Sequence, residues 1–324
     1  MKKLKFQFAI VAIFPVVLAL SSWAAATPTP ADLLSAGRVD DAVHSLNLRV
    51  QSNPADAEAY HLLSRAYFHL KEWDQAIAAG EKAVQLNPTQ AQYYLWLGRA
   101  YGEKADNSSF ITAAGLTKHI RANFEKAVEL DPRSVAALSD LSEFYVEAPG
   151  FMGGGLDKAQ TVAQRMGAVD PARAHWVCAR IDEKRKDSAG AEQEYMAAIR
   201  VANDPAGYWL NLASFYRRQH RMDDMENAVN KAMSLHLANS NSLYDAASLL
   251  YKAGRNLDGA AGYVRKYLSL PAQNEEAPAF EAHYMLGSIL EKQGDKSGAA
   301  TEFRASLAMA GDYKPAQDGL KRVS

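Results

Sequence analysis

A single cysteine, Cys178, stands in 324 residues, so the chain can close no disulfide within itself. An excess of one charge is lacking too: 36 lysines and arginines face 37 acidic residues. Such a balance argues against nucleic acid or anionic lipid as bulk partners, since both select a basic surface. Beyond residue 20 no apolar run approaches the ~20 residues that a membrane-spanning helix needs. Signatures of chemistry are missing as well. There is no His-Glu-x-x-His, no Gly-x-x-x-x-Gly-Lys and no Gly-x-Ser-x-Gly. Gly153-Gly154-Gly155 lacks the strand and lysine of a phosphate loop and reads as a corner between helices. His61, His175 and His283 are too far apart in sequence to assume a shared metal. Cys178 falls at a core position, where a thiol behaves as a small apolar group. No catalytic residue, cofactor or metal is therefore expected.

The first 26 residues differ from the rest. Lys2, Lys3 and Lys5 are followed by a thirteen-residue apolar run, Phe8 to Leu20, and then by small residues at Ala24 to Ala26. That is the layout of a secretory signal peptide with an Ala-x-Ala cleavage site. Thirteen residues are too few to span a bilayer comfortably. Residues 1–26 are expected to be removed, leaving a soluble protein, periplasmic or secreted, in a bacterium. The loss of three lysines leaves 33 basic against 37 acidic side chains, about four net negative charges. No cysteine follows the cleavage site, which excludes a thiol-linked lipid there.

What the chain does contain is a recurring pattern. Tyr94, Leu97, Gly98 and Tyr101 are followed by Phe124, Ala127 and Pro132. Trp209, Leu212, Ala213 and Tyr216 are followed by Val229 and Ala232. An aromatic, a leucine, a very small residue and a second aromatic suit two close-packed helices. The bulky residues are knobs, and the glycine or alanine is the hole that receives the partner helix. The spacing, about 34 residues, resembles the tetratricopeptide repeat. That resemblance implies an all-α fold: a right-handed superhelix of about eight helix-turn-helix repeats, binding a partner rather than transforming a substrate.

Anchoring each unit on its second-helix alanine and closing proline divides residues 27–313 into eight: 27–56, 57–90, 91–134, 135–171, 172–205, 206–239, 240–279 and 280–313. Pro54, Pro88, Pro132, Pro171 and Pro205 sit where a helix must stop. Gly37, Gly254 and Gly294 fall between paired helices, where a left-handed residue closes the first. Residues 314–324 read as a further helix that covers the last repeat, since an open solenoid end must be capped.

The resemblance also implies that the first helix of each unit lines a concave groove. The residue after the core aromatic and the one four later then share a face. These pairs include His61 with Arg65, Leu95 with Arg99, Ser139 with Glu143 and Trp176 with Arg180. Arg65, Arg99 and Arg180 suit a carboxylate-bearing or acidic partner, and Trp176 supplies an aromatic anchor. Relatives that grip a carboxy terminus use lysines and asparagines; arginines here do not support that clamp. The third and fourth units carry extra residues, Ala105–Lys118 and Ala148–Leu156, expected as loops along one edge. Phe110, Ile111, Leu116, Phe151 and Met152 make them apolar, a second candidate surface. The expected function is a non-enzymatic scaffold of the cell envelope holding a protein or peptide. Two alternatives are a ligand-processing site at the lip of the extra segments and self-assembly through the repeats; the number of copies stays open.

Overall fold

The computed structural model describes residues 28–270 and 276–324, so the expected signal segment lies outside the described residues. Among these there are seventeen α-helices and no strand. They come in pairs: α1 (Pro30–Ser35) with α2 (Val39–Ser52), α3 (Ala57–His69) with α4 (Trp73–Leu86), and α5 (Ala91–Asp106) with α6 (Phe110–Leu130). Next are α7 (Val135–Glu147) with α8 (Leu156–Gly167), α9 (Pro171–Arg185) with α10 (Ser188–Val201), and α11 (Ala206–Arg218) with α12 (Met222–Met233). The last pairs are α13 (Asn241–Ala253) with α14 (Leu257–Leu268) and α15 (Ala279–Gln293) with α16 (Lys296–Met309), followed by α17 (Lys314–Val323).

Short polar side chains start the helices by taking an otherwise orphaned backbone N–H. Asp56, Ser109, Ser134, Asp170, Asp187 and Asp295 each accept from the amide three residues on. Between paired helices the chain turns through a left-handed residue: Gly37, Gly254 and Gly294 in three units, but Lys71, Lys186 and His220 in three others.

Small residues set how closely the pairs approach. A Cβ placed on Gly98 would lie 2.6 Å from the Phe124 ring, and one on Gly287 2.7 Å from Phe303. The rim of Phe303 is held from the other side by Gly319 of α17, so the last helix docks on the final repeat as a cap.

First helices touch the first helices of neighbouring units, as in α3 with α5, α7 with α9, α11 with α13 and α13 with α15. Among the described residues, second helices of neighbouring units make no comparable contact. The stack therefore bends with the first helices inside. The bend is tight enough for the two ends to meet. Asp40 of α2 accepts from the Gly311 amide at 2.8 Å, and His69 Nδ1 lies 3.1 Å from a Glu281 carboxylate oxygen. Gly37 abuts Ala279 so closely that a Cβ there would lie 2.7 Å from the Ala279 nitrogen. Leu33, Leu34, Phe280 and Tyr313 share one core. The concave face is thus the inside of a closed turn rather than an open trough.

The two extra segments take different forms. In the third unit the added residues are helix, not loop: α6 runs for 21 residues, and Phe110 to Lys118 form its first turns. Ser109 caps that extension and nothing in it breaks a helix. In the fourth unit the chain makes a 3-10 turn at Gly150–Met152 and re-enters through the glycine triplet. A Cβ on Gly154 would collide with the Ala148 carbonyl oxygen, so only glycine fits this corner.

Candidate binding cavity on the inner wall

The lengthened α6 stands beside the first helices α3, α5 and α7, and the space between them is a cavity of about 710 Å³. Its apolar wall comes from Phe68, Trp96, Ile120, Phe124 and Phe144. Phe68 meets Trp96 edge-on, with ring centroids 5.4 Å apart. Residues 113, 117, 120 and 124 of α6 follow helical spacing, so one stripe runs from the buried Phe124 out to the cavity mouth. Phe110 continues that stripe by one turn and is 70% exposed; Ile111 beside it is 84% exposed. Beyond Pro149, on the opposite lip, Phe151 is 80% exposed.

The polar lining is mostly acidic: Glu103, Asp106, Asp140, Glu143, Glu147 and Glu276 face Arg99 and His69. Several of these carboxylates are already engaged. Arg99 Nε donates to Asp140 at 2.6 Å. Burial raises the Asp140 carboxyl and Arg99 draws it back part of the way. Arg180 spreads its guanidinium over Glu143, Glu147 and Glu183 at 2.7, 2.9 and 2.9 Å. Glu276, from the chain leading into α15, reaches the same cavity and accepts from the Asn241 amide at 3.0 Å. Glu103 and Asp106 have no hydrogen bond or ion pair from their side chains among the described residues. Burial first, and then Asp106, raises the Glu103 carboxyl, while Lys71 offsets part of this.

The residues singled out from sequence fall in different places. His61 does not face the groove: it is 4% exposed and stacks on Tyr93 at 4.6 Å. Burial, with Arg65 beside it, pushes its imidazole down to about 3. Leu95 is buried as well. Arg65 and Arg99 both lie over Trp96, at 5.3 and 5.0 Å from its ring centroid. Arg99 and Arg180 are not free to meet an acidic partner: each is held by carboxylates of the neighbouring repeat. Trp176 carries Arg173 at 5.0 Å rather than an open platform. Met152 is half-buried, and of the apolar lip only Phe110, Ile111 and Phe151 stand fully out. Cys178 is a free thiol raised by burial, with the Gln160 amide near its sulfur.

The inner face is therefore rotated from the expected one. Trp96, Arg99 and Glu103, and likewise Asp140, Glu143 and Glu147, form its stripes. Their i, i+3, i+7 spacing is visible in the sequence and would have found them. Glu276 carries no such signal, because the closing of the turn brings it there. His119, which fell near the lip in sequence, stacks on Tyr101 at 4.9 Å. Among the described residues no group of three histidine, cysteine or acidic side chains could hold a metal ion.

Tetratricopeptide-repeat models match residues 57–90 and 244–314. No curated protein sequence matches the chain. Among solved structures, yeast Tom70 is similar at 15% identity over 96% of this chain and 67% of that one, with a TM-score of 0.52. A tetratricopeptide repeat protein from Parabacteroides merdae matches at 15% identity over 91% and 95%, with a TM-score of 0.45. A thermophilic TPR protein of Thermus thermophilus matches at 20% over 57% and 94%, with a TM-score of 0.47. The chain is thus an α-helical solenoid of stacked helix pairs, two segments of which match tetratricopeptide-repeat models. Solenoids of stacked helix pairs present an extended curved wall. No helix among the described residues is long and apolar enough to cross a membrane.

Proposed function

We propose that the protein is a non-enzymatic scaffold or adaptor, exported to the cell envelope, that holds a segment of a partner protein in the cavity between α3, α5, α6 and α7. One observation carries this reading: three of the most exposed large apolar side chains among the described residues, Phe110, Ile111 and Phe151, lie within three positions of the cavity-lining Ala113 and Pro149. Exposed apolar groups beside a preformed concavity are what a docking segment covers. Export rests on the lysine start, the thirteen-residue apolar run and the Ala24–Ala26 site. An acidic partner is set aside, because Arg99 and Arg180 are already neutralised from within the wall.

The test is a crosslinking pull-down from bacterial envelope extract, wild type against the double variant Phe110→Ser with Ile111→Ser. These side chains are solvent-exposed, so the variant should fold and melt as wild type while losing a defined set of captured proteins. Equal capture by both forms rules out docking at the cavity. A purified exported protein whose intact mass still includes residues 1–26 rules out the export reading.

A further inference from the structure

We propose that the cavity recognises a basic side chain, arginine or lysine, within an otherwise apolar segment of the partner. This rests on the docking reading above and gives it a chemistry.

Three acceptors on the cavity wall lack a donor. Glu103 and Asp106 stand one turn apart at the end of α5, with no ion pair or hydrogen bond from their carboxylates among the described residues. The third is independent of them. His69 is only 7% exposed, lines the same cavity, and has a buried Nε2 with no hydrogen-bond partner. Its other nitrogen, Nδ1, lies 3.1 Å from a Glu281 carboxylate oxygen. A carboxylate only accepts, so Nδ1 carries the proton of that bond, and in the tautomer with this one proton Nε2 is an acceptor. A buried polar atom without a partner is uncommon and marks a place where a donor belongs.

The surroundings exclude the alternatives. An anion would meet carboxylates at Glu103, Asp106 and Glu276, while Arg99 is tied to Asp140 at 2.6 Å. A purely apolar segment would leave all three acceptors unsatisfied when it expelled water. A guanidinium or ammonium supplies donors only, and its alkyl stem suits the apolar wall at Phe68, Ile120 and Phe144. About 710 Å³ exceeds what one side chain fills, and the stripe that emerges at Phe110 continues the wall for apolar neighbours of the cation.

The probe is a display library of short random peptides, panned on the purified protein and on the double variant Glu103→Gln with Asp106→Asn. Both replacements keep shape and remove charge. Wild type should enrich peptides with an arginine or lysine beside aromatic or aliphatic residues, and the variant should not. Replacing the arginine of an enriched synthetic peptide by citrulline, its uncharged isostere, should weaken binding about tenfold or more. Raising salt from about 50 to about 500 mM should weaken it further. Enriched peptides that are acidic or uncharged, bind the variant equally and lose binding with Phe110→Ser and Ile111→Ser overturn the cation and leave the docking reading standing. Peptides indifferent to all four substitutions, or no enrichment at all, overturn both.

Discussion

Gly98 and Gly102 lie one turn apart on α5, and the structure assigns opposite consequences to the same substitution at each. A Cβ added to Gly98 falls 2.6 Å from both Cδ1 and Cε1 of Phe124, where ordinary contact begins at 3.4 Å. The ring must retreat by most of an ångström, yet Phe124 is only 6% exposed and is wedged among core residues of α6 and α7. Overpacking of this kind costs about 1–3 kcal/mol, with Gly98→Ala at the lower end and Gly98→Leu at the upper. At Gly102 an added Cβ meets nothing within 4 Å. There alanine brings only its helix propensity, a gain of about 1 kcal/mol over glycine. Gly98→Ala should therefore melt lower than wild type and Gly102→Ala higher, by roughly 2–4 °C per kcal/mol for a chain of this order of length.

Circular dichroism gives the melting temperatures, and amide hydrogen exchange shows where the loss falls. Coupling in a repeat array runs mainly between neighbours, so Gly98→Ala should speed exchange in α5 to α7 and leave α11 to α14 unchanged. Adding Phe124→Leu to Gly98→Ala should recover part of the loss, because it removes the obstructing ring. Melting shifts of the same sign for Gly98→Ala and Gly102→Ala would refute the knob-and-hole account of this repeat.

Two further predictions concern acid and base. The Asp245 side chain is exposed, yet desolvation by the wall around its carboxyl, and then Glu276, raises it to about 6, with Lys252 offsetting part of this. The stability tied to its protonated form is whole below about pH 3.9 and gone above pH 6. Asp245→Asn should thus raise the urea midpoint at about pH 7.5 and leave it unchanged near pH 4; an equal gain at both contradicts the assignment. His61, at about 3, has the opposite sign. Its contribution is present above about pH 6.5 and lost as pH falls below that, by up to about 1.4 kcal/mol per pH unit. His61→Gln should flatten this acid loss between about pH 6.5 and pH 5, and an unaltered slope would show that His61 is not its source.

Much of the fold was legible because its signal is local. Leu97, Gly98, Tyr101 and Phe124 carry the packing of a helix pair within one unit, and prolines mark where units end. Two features were not. Residues 110–118 read as an apolar loop because they interrupt the repeat spacing, yet the Ser109 cap starts α6 ahead of them and no proline interrupts it. The inner face was placed one residue off. Counting from the core aromatic assigned His61 and Leu95 to the groove, whereas each turns into the layer between adjacent first helices. Charge pairing across repeats was only half visible. The arginines were found, but Asp140 lies 41 residues from Arg99 in sequence, and only the stacking of first helices brings the two together.

The meeting of the two ends shapes the cavity as well as the fold. Glu276 belongs to the chain entering α15, yet it lines a cavity built by the second, third and fourth repeats. Glu281 of α15 holds His69 Nδ1, which leaves Nε2 of the same ring as the nitrogen without a partner. One imidazole therefore belongs both to the closure and to the wall. A donor bonded to Nε2, as proposed, would polarise the same ring that bonds Glu281, so its binding and the closure of the turn would reinforce each other. By linkage the effect would be reciprocal: a change in α15 that loosens it from α3 would weaken the hold of such a donor.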